Sequence, residues 1–155
     1  MKQLFALMFA LFTFGSLQAQ TPDEIFSRYA GEENVVHLKM NGSMFNSDNN
    51  KYKSDIDKVE VLVLPKDHLK GRVDLESFAK VARSANYDTL MEVRSGQDRV
   101  EVFSQGGEDE YNSIIVNVFG DENLVLVRLD GTIYKSDLDK IDFDNDGANF
   151  LNQMR

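Results

Sequence analysis

Residues 89–129 read TLMEVRSGQDRVEVFSQGGEDEYNSIIVNVFGDENLVLVRL. Apolar side chains recur here with a period of two, the spacing that places alternate residues on opposite faces of a strand. Four segments carry the pattern: Thr89–Arg94, Arg99–Phe103, Tyr111–Phe119 and Leu124–Leu129. Between them lie Ser95-Gly96-Gln97-Asp98, Gln105-Gly106-Gly107-Glu108 and Gly120-Asp121-Glu122, each built from residues that tight turns favour. A parallel crossover needs about a dozen residues, so connectors this short join antiparallel neighbours. The stretch is read as a four-stranded meander.

Upstream, the periodicity changes. Asp74–Asn86 is read as the main helix: Asp74 caps it, Leu75, Phe78, Ala79 and Ala82 recur at helical spacing, and Glu76 and Lys80 pair on the wet face. Val59–Leu64 (VEVLVL), closed by Pro65, reads as a buried strand. Val35–Met40 reads as another, with Val36, Leu38 and Met40 opposed to Val35, His37 and Lys39. Thr21-Pro22-Asp23-Glu24 signals a helix start, with a capping box from Thr21 to Glu24, and Ile25, Phe26 and Tyr29 form its apolar stripe. Gly31 is expected to end that helix. The expectation is an α+β fold in two layers: an antiparallel sheet of about six strands, one main helix packed on it, and a short N-terminal helix.

One segment occurs twice. Tyr52-Lys53-Ser54-Asp55-Ile56-Asp57-Lys58 returns as Tyr134-Lys135-Ser136-Asp137-Leu138-Asp139-Lys140. Serine followed by an acid at helical spacing resembles a capping box, so both copies are expected to start short helical turns capped by Ser54 and Ser136. The flanking residues do not match, and no repeat architecture follows.

The N-terminus begins with Lys2, continues with an apolar run of eleven residues, Leu4–Phe14, and reaches Gly15-Ser16-Leu17-Gln18-Ala19. Charged start, short apolar run and small-residue exit predict a cleavable signal peptide over residues 1–19, cut between Ala19 and Gln20. The run falls short of the roughly 20 apolar residues a spanning helix needs, so no membrane insertion is expected after cleavage. With no cysteine in the chain, a lipid-anchored form is excluded and stability must come from packing. Residues 20–155 are expected to form a single domain in the periplasm or outside the cell. The formal net charge is −9. That argues against nucleic acid and anionic membranes as partners, because phosphate binding requires basic patches.

The opening helix Ile25-Phe26…Tyr29, the Val35–Met40 strand followed by Met44-Phe45, and Val59–Leu64 form a recognisable layout. So do Leu90-Met91-Glu92-Val93, Val100-Glu101-Val102-Phe103 and Leu124–Ile133 with its Asp130-Gly131 turn. This layout resembles an uncharacterised domain-of-unknown-function family of small exported Bacteroidetes-type proteins, over most of residues 20–155. The resemblance implies export and an α+β fold, and brings no activity and no site residues.

Catalytic chemistry has little to rest on. His37 lies within a strand and His68 in a loop, without a second histidine at ligand spacing, and both read as ordinary histidines. No nucleophile elbow, phosphate loop or zinc motif is present, and no cofactor is implied. Asp142-Phe143-Asp144-Asn145-Asp146-Gly147 begins like a calcium loop. Its twelfth position is Gln153 rather than glutamate and its eighth is Asn149, so a solvated acidic turn before Phe150 and Leu151 is the expectation. Phe103, Tyr111 and Phe119 lie on strands and are expected in the core more than on a binding face. No catalytic, cofactor-binding or metal-binding residue is assigned. The functional expectation is a non-enzymatic envelope domain that binds another protein or an envelope component. The alternatives are a hydrolase using paired carboxylates and a weak calcium-dependent binding module.

Overall fold

The computed structural model describes residues 20–44, 53–69, 75 and 77–138. The expected signal segment 1–19, the expected helix cap Asp74, Glu76, and the calcium-loop-like segment Asp142–Gly147 with Phe150 and Leu151 lie outside the described residues.

Helix α1 spans Pro22–Tyr29. The Glu24 N–H donates to Thr21 Oγ1 at 3.3 Å and the Thr21 N–H donates to the Glu24 carboxylate at 3.3 Å, completing the capping box. Pro22 occupies the first turn, where its missing N–H costs nothing. Ile25, Phe26 and Tyr29 are buried along one stripe. The helix ends without Gly31: Ala30 stays right-handed, and the left-handed residue is Asn34, at φ 62°.

Strand β1 (Val36–Asn41) leads through a 3-10 turn at Gly42–Met44 to β2 (Asp55–Pro65), and a second 3-10 turn covers Lys66–Leu69. Helix α2 is Phe78–Ser84, so within the described residues the two sheet-packed helices are nearly equal in length. Four strands follow, β3 (Asp88–Ser95), β4 (Asp98–Gly106), β5 (Glu110–Phe119) and β6 (Asn123–Tyr134), then the single turn α3 (Lys135–Leu138). Asp130-Gly131, expected as a turn, lies inside β6.

All six strands form one antiparallel sheet in the order β1-β2-β6-β5-β4-β3. The meander is as the short turns require. The N-terminal pair joins it through β2, which lies beside β6 over ten paired residues and places both apolar strands in the interior of the sheet. Both helices lie on one face. There Ile25, Phe26, Leu62, Leu64, Leu75, Phe78, Phe103, Ile115, Leu124 and Leu126 make a fully enclosed core. Each such side chain contributes about 1.5–3 kcal/mol through removal from water. Phe78 of α2 meets Phe103 of β4 at 5.9 Å between centroids, tilted by 59°.

The repeated heptapeptide does not fold twice the same way. The first copy runs into β2, whereas the second forms α3. Ser54 therefore caps no helical turn. Its hydroxyl donates to Asp137 Oδ2 at 2.8 Å and accepts from the Tyr134 N–H at 2.9 Å. Strand pairing of Ile56 with Gly131 overrides the local capping signature in the first copy.

Candidate functional site: the two faces of the sheet

The strand registers place side chains in rows that cross the whole sheet. Under the helices, one row reads Lys39, Glu60, Arg128, Ile115, Phe103 and Thr89. The next reads His37, Leu62, Leu126, Asn117, Glu101 and Glu92. Two polar groups are thereby sealed beside the core.

The larger group centres on Glu60, 2% exposed, and Arg128, 6% exposed. Arg128 Nη2 donates to Glu60 Oε2 at 2.6 Å, and its guanidinium also reaches Asp23 of α1 and lies 3.3 Å from Asp130. The guanidinium sits 5.0 Å from the Phe26 ring centroid. His37 Nε2 lies 2.8 Å from Glu60 Oε1, and Lys58 bridges Glu60 and Asp130 at 3.3 and 3.1 Å. Tyr87 donates to Ser113 at 3.0 Å, which donates to Asp130 at 2.8 Å.

Burial alone would raise the Glu60 carboxyl; the His37 hydrogen bond and the Arg128 and Lys58 charges outweigh it and hold the group at about 2. For Arg128, burial opposes the charge, yet the Asp23 hydrogen bond and the charges of Asp130 and Glu60 raise its pKa further. Burial pushes the Tyr87 phenol up; its bond to Ser113 opposes this, and the Asp130 charge adds to it. The smaller group joins Asn117 Nδ2 to Glu101 at 2.8 Å, with Arg99 at 3.4 Å from the same carboxylate.

These buried acids were not foreseen from the sequence. A signal was present: Glu60 on β2 and Arg128 on β6 are charges of opposite sign in phase with the inward leucines. His37, read from the sequence as an ordinary histidine, is half-buried beside Glu60. The His68 side chain lies outside the described residues. Phe103 and Tyr111 are buried, and Phe119 is partly covered by Lys66 and Arg99, whose cationic groups sit 5.4 and 5.6 Å from its ring. Gln20 is half-buried and its carbonyl accepts from Ser84 at 3.4 Å.

The opposite face has a different chemistry. Its first row is Val36, Val63, Val125, Val118, Val100 and Val93, valine on every strand. Its second is Leu38, Val61, Val127, Val116, Val102 and Met91. A third runs Met40, Val59, Leu129 and Ile114 before turning polar at Ser104 and Asp88. Neither helix lies on this face. Leu138 of α3 packs with Tyr111, Ile114 and Ile133 at one corner. At the sheet edges Val36, Leu38 and Val93 are about half exposed, at 51%, 50% and 48%.

Surface depressions among the described residues include the following two. One, of about 150 Å³, is lined by Arg94, Gly96, Gln97, Asp98, Arg99 and Phe119. The other, of about 290 Å³, lies between Pro65, Lys66, Asp67, Asp121 and Glu122, whose acids are all exposed. Neither contains Glu60 or Glu101. Among the described residues no three histidine or acidic side chains converge as metal ligands, and no helix is long and apolar enough to cross a membrane.

Fold and faces together define a two-layer α+β protein, with α1 and α2 over an ion-paired inner face and an apolar outer face that, among the described residues, neither of these helices covers and in which Val59, Ile114 and Val118 are buried. The chain belongs to the family described as Domain of unknown function (DUF4252), whose profile matches residues 29–141. No curated protein and no solved structure matches it.

Proposed function

We propose that this is an exported, non-enzymatic domain that works by docking, and that its open valine-rich sheet face is the docking surface for another protein or an envelope component. The observation that carries the reading is the pair of uncharged apolar rows running across all six strands. Soluble monomers rarely leave a contiguous apolar patch of more than a few hundred Å² exposed.

The acids support binding over catalysis. A general acid needs a pKa near the working pH, and Glu60 is held at about 2 by its partners. Glu60 and Glu101 are tied to neighbouring side chains under the helices. Export is supported by Lys2, the Leu4–Phe14 run and the small residue Ala19.

Two measurements test the proposal. Mass spectrometry of the protein from its host should find Gln20 as the first residue; retention of residues 1–19 contradicts export. A photo-crosslinking side chain at Val61, in the middle of the open face, should give a discrete adduct in the host, while one at Lys80 on α2 should not. No adduct from Val61 would overturn the docking surface.

A further inference from the structure

We propose that the occupant of the open face is a second copy of this chain, with the two sheets packed face to face about a two-fold axis. This rests on the reading of that face as a docking surface. A two-fold contact uses the same patch on both partners, so the patch must complement itself. The rows meet that demand. The first is valine throughout, and the second has its larger residues, Leu38 and Met91, at opposite edges with valines between. An axis along the strands through the sheet centre exchanges β1 with β3 and leaves that profile unchanged. The centre falls between β6 and β5, at Val127 and Val116.

Size and charge agree. With strands about 4.8 Å apart and about 3.3 Å per residue, the two apolar rows and the four apolar residues of the third cover roughly 510 Å² in plan. Side-chain relief carries the accessible area toward the about 800 Å² per partner of a standard interface. Two chains of net charge −9 repel, and this surface brings no charge of its first two rows into contact. Short branched side chains on both inner faces suit aligned sheet packing at about 10 Å separation. The interface would resemble the apolar centre of homodimers.

Sedimentation of the protein as isolated from its host, at micromolar concentration, should give twice the chain mass. The Val61 adduct should likewise have twice the chain mass. Val116→Lys should weaken self-association by roughly a hundredfold or more, since it buries an unpaired charge, and leave the circular dichroism of the sheet intact. Lys80→Glu should remain dimeric. Because the chain has no cysteine, Val127→Cys supplies a single thiol near the axis, and mild oxidation should yield a covalent dimer even if Val116→Lys fails to fold. A monomer whose Val61 adduct contains a different protein would overturn self-association while keeping the docking surface. A monomer that becomes dimeric on Phe150→Asp would make the chain's own C-terminal segment the occupant. A monomer with no Val61 adduct would remove both readings.

Discussion

Asp137, in the second copy of the repeated heptapeptide, is the acceptor for Ser54 in the first: its Oδ2 takes the Ser54 hydroxyl at 2.8 Å and the Ser54 N–H at 2.7 Å. The same oxygen takes the Lys53 N–H at 2.6 Å. One carboxylate thus fastens the start of β2 to the turn after β6. The two copies meet in the fold, and each plays a different part.

Ser54 and Ser136 should therefore behave differently. Ser54→Ala removes a bond to Asp137 and the acceptor for the Tyr134 N–H, and should cost about 1–3 kcal/mol. Ser136 is exposed, and Ser136→Ala should stay within about 0.5 kcal/mol. Asp137→Ala leaves two backbone N–H groups and a hydroxyl without their acceptor, and should cost about 2–4 kcal/mol. Urea midpoints compare the three. Equal shifts for the two serines would restore the capping explanation.

Acid should destabilise the fold through Glu60. Its folded pKa of about 2 lies below the ordinary 4.5, so its contribution is complete above the ordinary value and disappears as pH falls through the folded one. The gap corresponds to about 3 kcal/mol, lost between roughly pH 5 and pH 2. Glu60→Gln should be less stable at pH 7 and should lose less on acidification. Parallel pH profiles for the two proteins would show that Glu60 is not the titrating group.

Gly131 sits in β6 at φ 149°, and an added Cβ would run into the carbonyl oxygen of Asp55 on β2. Both the torsion and the space require glycine. Gly131→Ala should lower stability by about 2 kcal/mol or more, read from denaturant unfolding. A change below about 0.5 kcal/mol would mean that the β2–β6 pairing shifts freely at this point.

Micromolar calcium should leave the melting temperature unchanged, because the Asp142–Gly147 loop lacks the glutamate at its twelfth position. A ligand at a hundred times its dissociation constant adds about 2.7 kcal/mol, a shift that a melt resolves. A rise abolished by Asp144→Ala would establish a calcium site.

Where structure is local, the sequence was sufficient. The Thr21–Glu24 cap, the strand alternation and the turns at Gly96 and Gly120 depend on neighbours along the chain, and each appears where those residues placed it. The site depends on partners far apart in sequence. Nothing near Glu60 announces Arg128, and nothing near Ser54 announces Asp137. The open face was half legible. In Val59–Leu64 only Glu60 interrupts the apolar run; Leu62 and Leu64 are buried under the helices, and on the other face Val59 is buried while Val61 and Val63 are partly covered. The heptapeptide marks the limit of local reading, since near-identical residues form a strand in one place and a helix in the other.

The pairing of β2 with β6 also governs the order of events during folding. Leu62 and Leu126 are neighbours in the sheet but belong to opposite halves of the chain. While β6 is missing, β1 and β2 form a two-stranded ribbon, which is marginal in water on its own. The meander from β3 to β6 can close through short loops, and the N-terminal pair must then find its edge across a long one. Contacts of that kind slow folding. Assembly of this sheet is therefore expected to wait on its last strand, with the first half of the chain acquiring a lasting structure only when the second half is present.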